Sequence, residues 1–315
     1  MAAPTYRERT TALLQTALGS AVYQALSEDL VTDVYTNADG VLWTRRLDIG
    51  RQATGVTLPA EDRARAIRLV ADHVGVILSP ERPAIDAELP ELGERFSGAL
   101  PPIVAAPTFS IRKHASRVFL LEDFVRQEVI SPSQAKFLKA ALRARKNILI
   151  SGATGSGKTT FANALLAELA AGANPDRIVI IEDTLELKCQ APDVLSLRAS
   201  DHVTIRDLVK LTLRNTPDRI VIGEVRDGAA LDLVKAWRTG HGGGLGTLHA
   251  DSAAGALERL EALILEVAQN AHRHDIAAAV NVVVHITGRG ATRRVQTLAE
   301  VLGCSAGAYQ LAERA

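Results

Sequence analysis

A chain of 315 residues with 47% hydrophobic content has material for more than one compact core, since domains usually hold about 100 to 200 residues each. Lysine plus arginine equals aspartate plus glutamate at 36 each, so no net field draws the whole chain to nucleic acid or acidic lipid, and DNA wrapping is disfavoured. The two cysteines, Cys189 and Cys304, lack the paired spacing of a zinc site and the density of a disulfide scaffold, which fits a reducing, cytosolic setting. The opening Met-Ala-Ala-Pro reaches charges at Arg7, Glu8 and Arg9 before any apolar run, and no stretch approaches about 18 uninterrupted apolar residues. Neither a secretion signal nor a membrane span is expected.

From Thr10 to Asp29, Leu14, Ala17, Leu18, Ala21, Val22 and Ala25 fall at helical spacing and predict an amphipathic helix that packs on its own domain. Val31 to Tyr35 and Val41 to Trp43 flank Asn37-Ala38-Asp39-Gly40, the pattern of a hairpin. A second helix is predicted over Ala60 to Ile77, followed by extended segments at Arg95 to Leu100 and Phe109 to Lys113. Periodicity fades from His114 to Asp123, which reads as a connection. The expected domains are thus 1–118, a smaller α+β module, and 119–315. The second opens with Ser131-Pro132-Ser133-Gln134, a capping box with proline at the first helical position, and its helix should run to about Arg145. Apolar runs at Asn147 to Ile150, Arg177 to Ile181, Arg219 to Ile222 and Leu245 to Leu248 then alternate with helical patterns, which predicts an α/β domain with a mainly parallel sheet. Asn281 to Ile286, Val295 to Leu298 and Ala308 to Leu311 extend it with a β-rich tail.

Asn147 to Ser151 leads directly into Gly152-Ala153-Thr154-Gly155-Ser156-Gly157-Lys158-Thr159, and a helix follows from Thr160. Strand, glycine loop and helix in that order form a phosphate cradle: backbone N–H groups curl around the phosphates and the helix N-terminus adds partial positive charge. Lys158 should reach the β- and γ-phosphates and the Thr159 hydroxyl a Mg²⁺ ion. Hydrolysis further needs carboxylates to hold the metal and orient water. Two strands run into such groups, one at Glu182, Asp183 and Glu186 and the other at Gly223-Glu224-Val225-Arg226-Asp227. Glu224 ends an apolar strand and is assigned to metal water or attacking water; Glu182 and Asp183 are metal candidates and Glu186 a catalytic candidate. Acids at such positions also serve as helix caps, so that simpler role stays open. His249 closes a glycine-rich segment beginning at Thr239 and is placed to sense a γ-phosphate, though lone histidines are often structural. Arg289, Arg293 and Arg294 read as a solvated cluster, with a partner contact as the alternative.

In sequence order, Gly152 to Thr159, Ile181 to Glu186, Gly223 to Asp227, and Gly240-His241 through His249-Ala250 resemble the Walker A, aspartate, Walker B and histidine boxes of the secretion ATPase superfamily. That superfamily drives type IV secretion, type II secretion and pilus dynamics. The chain is most similar to its conjugal-transfer branch, over nearly the whole length, and lacks the tetracysteine insertion common in type II secretion ATPases. The resemblance implies a RecA-like P-loop domain behind the α+β domain and a homohexameric ring that binds ATP and Mg²⁺ through the loop residues, Thr160 included. It also implies nucleotide contacts from the N-terminal domain, matched here by Arg95 and Arg112, whose alternative is an ordinary surface role. The expected partners are inner-membrane components of a conjugative secretion apparatus, with a cytoplasmic location, peripheral on the inner membrane. A nucleotide-gated scaffold with little turnover, a pilus or type II secretion ATPase, and a small-molecule kinase remain as alternatives.

Overall fold

The computed structural model describes residues 6–46, 48–90, 92–113, 118–172, 176–200 and 202–315. The opening tetrapeptide and the 114–117 part of the expected connection lie outside the described residues. The chain divides between 117 and 118 into two compact units.

In the first unit, α1 (Tyr6–Ser27) bends near Gly19 and buries Leu14, Ala17, Leu18, Val22, Ala25 and Leu26. Its stripe joins the unit's own core, against α2 (Ala60–His73) and Ile67, Val70, Phe96, Phe109 and Ile111. β1 (Val31–Thr36) and β2 (Val41–Arg46) form the hairpin, and β3 (Gly50–Thr57), β4 (Ala84–Glu88), β5 (Arg95–Ala99) and β6 (Thr108–Arg112) complete a six-stranded antiparallel sheet ordered β3-β2-β1-β6-β5-β4. The helix expected to reach Ile77 stops at His73. Gly75 adopts φ 72°, Val76 N–H donates to Ala71 O at 2.9 Å and Gly75 N–H to Asp72 O at 3.2 Å, a left-handed cap that ends the helix four residues earlier than its apolar spacing suggests.

The second unit runs α3 (Leu121–Arg126), α4 (Pro132–Arg143), β7 (Ile148–Gly152), α5 (Lys158–Ala170), β8 (Ile178–Glu182), β9 (Val194–Arg198), α6 (Ile205–Thr212), β10 (Arg219–Ile222) and α7 (Ala229–Arg238). It continues through β11 (Leu245–Leu248), α8 (Ala253–Leu265), α9 (Arg273–Ala279), β12 (Val282–Thr287), β13 (Arg294–Ser305) and β14 (Ala308–Glu313). The connection expected to reach Asp123 is in part the helix α3: Asp123 caps it by accepting Leu120 N–H at 2.9 Å, while Leu121 and Phe124 are buried. The capping box of α4 forms as the sequence indicates, with Gln134 N–H donating to Ser131 Oγ at 3.0 Å and Ser131 N–H to Gln134 Oε1 at 3.0 Å.

The eight strands order as β14-β13-β12-β7-β11-β10-β8-β9; all pairs from β12 to β9 are parallel, and β13 and β14 are antiparallel. Successive side chains of a strand point to opposite faces, which divides the core in two. Leu149, Val179, Ile181, Ile220 and Ile222 pack with α6 to α9, whereas Ile148, Ile150, Ile178, Ile180 and Val221 pack with α3 to α5. Helices on both faces explain why these strands read as continuous apolar runs rather than alternating ones. Among the described residues no helix is long and apolar enough to cross a membrane.

Candidate nucleotide site

Parallel pairing brings the carboxyl ends of four strands to one edge. Ser151 of β7 is in register with Leu248 of β11, Ile222 of β10 with Gly246 of β11, and Ile222 with Ile181 of β8. The residues that follow, Gly152, His249, Gly223-Glu224 and Glu182-Asp183, therefore share the edge at which open α/β sheets bind ligands.

After β7 the chain turns through exposed Ala153, Thr154 and Gly155 and enters α5 at Gly157, whose φ is 98°. A side chain there would be strained by that φ and would also press on Arg293. The first turn of α5 carries no acid, so the helix N-terminus remains open to an anion. Lys158 is 8% exposed, and its ammonium donates to Gly152 O at 3.0 Å, Ala153 O at 3.3 Å and His249 Nδ1 at 3.1 Å. Burial pushes the Lys158 pKa down, opposed by the negative charges of Glu224 and Glu186. Ser156 Oγ is buried with no hydrogen-bond partner among the described residues. An ammonium folded onto its own loop carbonyls beside an orphaned hydroxyl fits a cradle that takes an oxyanion. Thr159 and Thr160 follow, half-buried.

An ammonium can only donate, so His249 Nδ1 accepts from Lys158 and the ring proton sits on Nε2. Nε2 lies 2.8 Å from Glu224 Oε1. The approach is close but is not a hydrogen bond, since the buried Oε1 accepts none among the described residues. The structure thus brings Lys158, His249 and Glu224 into one chain of contacts, with Glu186 near enough for its charge to act on the lysine. Glu224 is aimed by its neighbours: Val225 N–H donates to Thr247 O at 2.8 Å, the Thr247 hydroxyl donates to Gly223 O, and Arg226 Nε lies 3.8 Å from Glu224 Oε2. Arg226 also pairs with Asp183.

Glu182 sits differently from Asp183. It is 2% exposed, and its Oε1 accepts Glu186 N–H at 3.0 Å and Leu187 N–H at 2.9 Å. Burial pushes its carboxyl up to about 7 against those two bonds. Its contacts are those of an anchor for the 183–187 loop. A Cβ on Gly223 would fall 2.8 Å from Glu182 Cγ, so the residue before Glu224 is glycine because this carboxyl passes beneath it.

Sequence reasoning gave no role to Asn163. It is 1% exposed on α5; its Nδ2 donates to Glu186 O at 3.1 Å and its Oδ1 accepts Lys188 N–H at 2.7 Å, tying the acidic loop to the phosphate loop's own helix. An asparagine inside an otherwise apolar helix was the available signal. Arg289 and Arg293, read as a solvated cluster, are corrected: Arg289 Nη2 donates to Thr154 O at 2.8 Å and Arg293 lies against Gly157, while Arg294 is exposed. Arg95 and Arg112 are directly opposite one another on β5 and β6 of the first unit, and Arg112 Nε contacts Asp33 Oδ1 at 3.1 Å. The same register row continues through Asp33 to Arg45 and Arg51, placing four arginines across one face of the antiparallel sheet. Like charges directly opposite are destabilising unless an anion or acid intervenes.

The family model described as type II/IV secretion system protein matches residues 79–312. The chain is 45% identical over 297 residues to the conjugal transfer protein TrbB of Rhizobium radiobacter, covering 94% of this chain and 92% of that one. It is 43% identical over 298 residues to a probable conjugal transfer protein TrbB of Sinorhizobium fredii, covering 95% and 91%. Among solved structures, the Legionella pneumophila ATPase DotB matches with a TM-score of 0.63 at 18% identity over 91% of this chain and 78% of that one, a likeness of fold. The four boxes, the parallel sheet that aligns them and these relatives agree: the chain belongs to the type II/IV secretion system protein family, on its conjugal-transfer side.

Proposed function

We propose that this protein hydrolyses ATP and, as a homohexameric ring, powers a conjugative type IV secretion apparatus. The observation that carries the reading is the contact chain Lys158–His249–Glu224 at the mouth of the phosphate loop. A cation, an imidazole and a carboxylate in contact beside that loop support the entry of a polyphosphate there.

In this reading Lys158 leaves the Gly152 and Ala153 carbonyls for the β- and γ-phosphate oxygens, and the buried Ser156 hydroxyl and the loop amides take the rest of that charge. Glu224 orients a water for in-line attack on the γ-phosphorus and receives its proton; the bond to the β,γ-bridging oxygen breaks, leaving ADP and phosphate. His249, released by Lys158, is free to donate to the γ-phosphate and so distinguishes ATP from ADP. Mg²⁺, held by Thr159 and, through waters, by Asp183 and Glu224, would supply neutralisation of the phosphate oxygens. Glu182 keeps the acidic loop in place, and Glu186 tunes the lysine. Arg95 and Arg112 are proposed, on the family resemblance, to bring further positive charge to the nucleotide. The names of the relatives support conjugal transfer as the process served, with inner-membrane components of that apparatus as partners at the cytoplasmic face.

Mass in solution by light scattering, with and without Mg-ATP, tests the ring. Assembly to six subunits with ATP is expected. A monomer at all nucleotide concentrations that nevertheless binds ATP would overturn the motor in favour of a nucleotide-gated scaffold.

A further inference from the structure

The connection between β12 and β13 lies beside the phosphate loop for a topological reason. β12 pairs in parallel with β7 up to Ile286 opposite Gly152, so the segment leaving β12 emerges next to the segment leaving β7. The approach is close enough that a Cβ on Gly152 would collide with the Ile286 carbonyl. The segment then closes on itself: Thr292 N–H donates to Arg289 O at 3.1 Å, Arg289 N–H to Thr292 Oγ1 at 3.1 Å, and Arg293 N–H to Gly290 O at 3.2 Å. Two guanidinium groups are thereby fixed over the loop. Arg289 Nη2 donates to Thr154 O at 2.8 Å, and a Cβ on Gly157 would sit 2.7 Å from Arg293 Nε.

Arg293 is the informative one. Its Nε is buried and has no hydrogen-bond partner among the described residues. Burial pushes its pKa down, with no acid among the described residues raising it in return. A partly desolvated guanidinium without a carboxylate is costly, and planar guanidinium forks match phosphate oxygens better than any other side chain does. Its neighbour, the Gly155–Gly157 backbone, is the part of such loops that cradles the α- and β-phosphates.

We infer that Arg293, assisted by Arg289, is a phosphate-binding residue for the α- and β-phosphates, supplied by the same chain that supplies the phosphate loop. The inference rests on the nucleotide reading above and adds to it a contact that ATP and ADP share, in contrast to the γ-phosphate contacts of His249 and Glu224.

The test is a titration of the full chain with Mg-ATP and Mg-ADP, and with inorganic pyrophosphate as competitor, for wild type, Arg293→Gln, Arg293→Lys and Arg289→Gln. Melting without nucleotide is followed in parallel. Arg293→Gln should weaken ATP, ADP and pyrophosphate alike by about tenfold or more, the range of a charge-assisted hydrogen bond. Arg293→Lys should recover part of that loss, and Arg289→Gln, on an exposed side chain, should show a smaller loss of the same pattern with unchanged melting. If Arg293→Gln fails to fold, Arg289→Gln decides: unchanged affinity there overturns the inference. Altered melting with unchanged nucleotide affinity makes Arg293 a structural plug and overturns it too, as does a loss confined to ATP. Wild type that binds neither nucleotide overturns the nucleotide reading, and this inference with it; wild-type binding with unaltered variants overturns this inference alone.

Discussion

The two ends of the parallel sheet treat most of their buried polar groups differently. At the amino end, Asn147 donates from Nδ2 to Ala279 O at 2.7 Å and accepts at Oδ1 from Gly243 N–H at 2.7 Å and Gly244 N–H at 2.9 Å. Arg219, 4% exposed, pairs with Asp176 and donates to Gly243 O at 2.9 Å and Leu142 O at 3.1 Å. At the carboxyl end, Ser156 Oγ, Glu224 Oε1 and Arg293 Nε are buried without hydrogen-bond partners among the described residues, and Lys158 is bonded to carbonyls and a histidine rather than to an acid. His241 Nδ1, just ahead of β11, is the amino-end exception, buried without a hydrogen-bond partner among the described residues. Buried polar groups are normally satisfied, so the bonded Asn147 and Arg219 serve stability, while the orphaned groups gathered around the phosphate loop stand ready for a ligand.

Substitutions at the two ends should accordingly have opposite signatures. Lys158→Ala should cost on the order of a hundredfold or more in ATP affinity, while its melting temperature stays level or rises because a desolvated ammonium is removed; calorimetric titration and a thermal melt check both halves. Glu224→Gln should lower phosphate release by about a hundredfold or more and leave ATP bound, in the range expected when a proton acceptor is removed. Asn147→Ala should behave in reverse. Stripping two amides and a carbonyl of their partner should cost about 3 kcal/mol in denaturant unfolding, with nucleotide affinity of the folded protein unchanged. If Asn147→Ala instead weakened nucleotide selectively, the division of labour between the ends would be wrong.

Glu182 lies on the boundary of this contrast and should give the smallest effect. Its folded pKa of about 7 lies above the ordinary 4.5, so the folded protein holds a proton that the unfolded chain has released. The stability it contributes is therefore complete below about pH 4.5 and is lost as pH rises to about 7. Gln is neutral at every pH and keeps an oxygen for the Glu186 and Leu187 amides. Relative to wild type, Glu182→Gln should gain about 1–2 kcal/mol across that window, somewhat less than the full shift implies because buried sites relax. Melting curves of both proteins at pH 4.5, 6 and 8 measure the difference, and parallel pH profiles would show that the carboxyl is already ionised at neutral pH.

How much of this was legible in the sequence follows from how local each feature is. The strand–loop–helix around Lys158 and the apolar strand ending at Glu224 are contiguous runs, and their parallel alignment follows from alternation with helices. β3 escaped notice because its side chains are almost all exposed and show no alternation, and β9 because it is a half-buried edge. Arg293 escaped for a deeper reason: its meaning depends on β12 lying beside β7, a pairing of segments more than a hundred residues apart that no local pattern announces. Glu182 and Asp183 are neighbours in sequence, yet only the burial of the first separates an anchor from a half-buried acid paired with Arg226.

The most direct test of the hydrolytic site is phosphate release from Mg-ATP by wild type and Glu224→Gln, compared at matched ATP occupancy. Turnover by wild type, with Glu224→Gln retaining intact ATP, is the predicted result. Equal release by both proteins, or none by wild type even with its membrane partners present, would contradict the account.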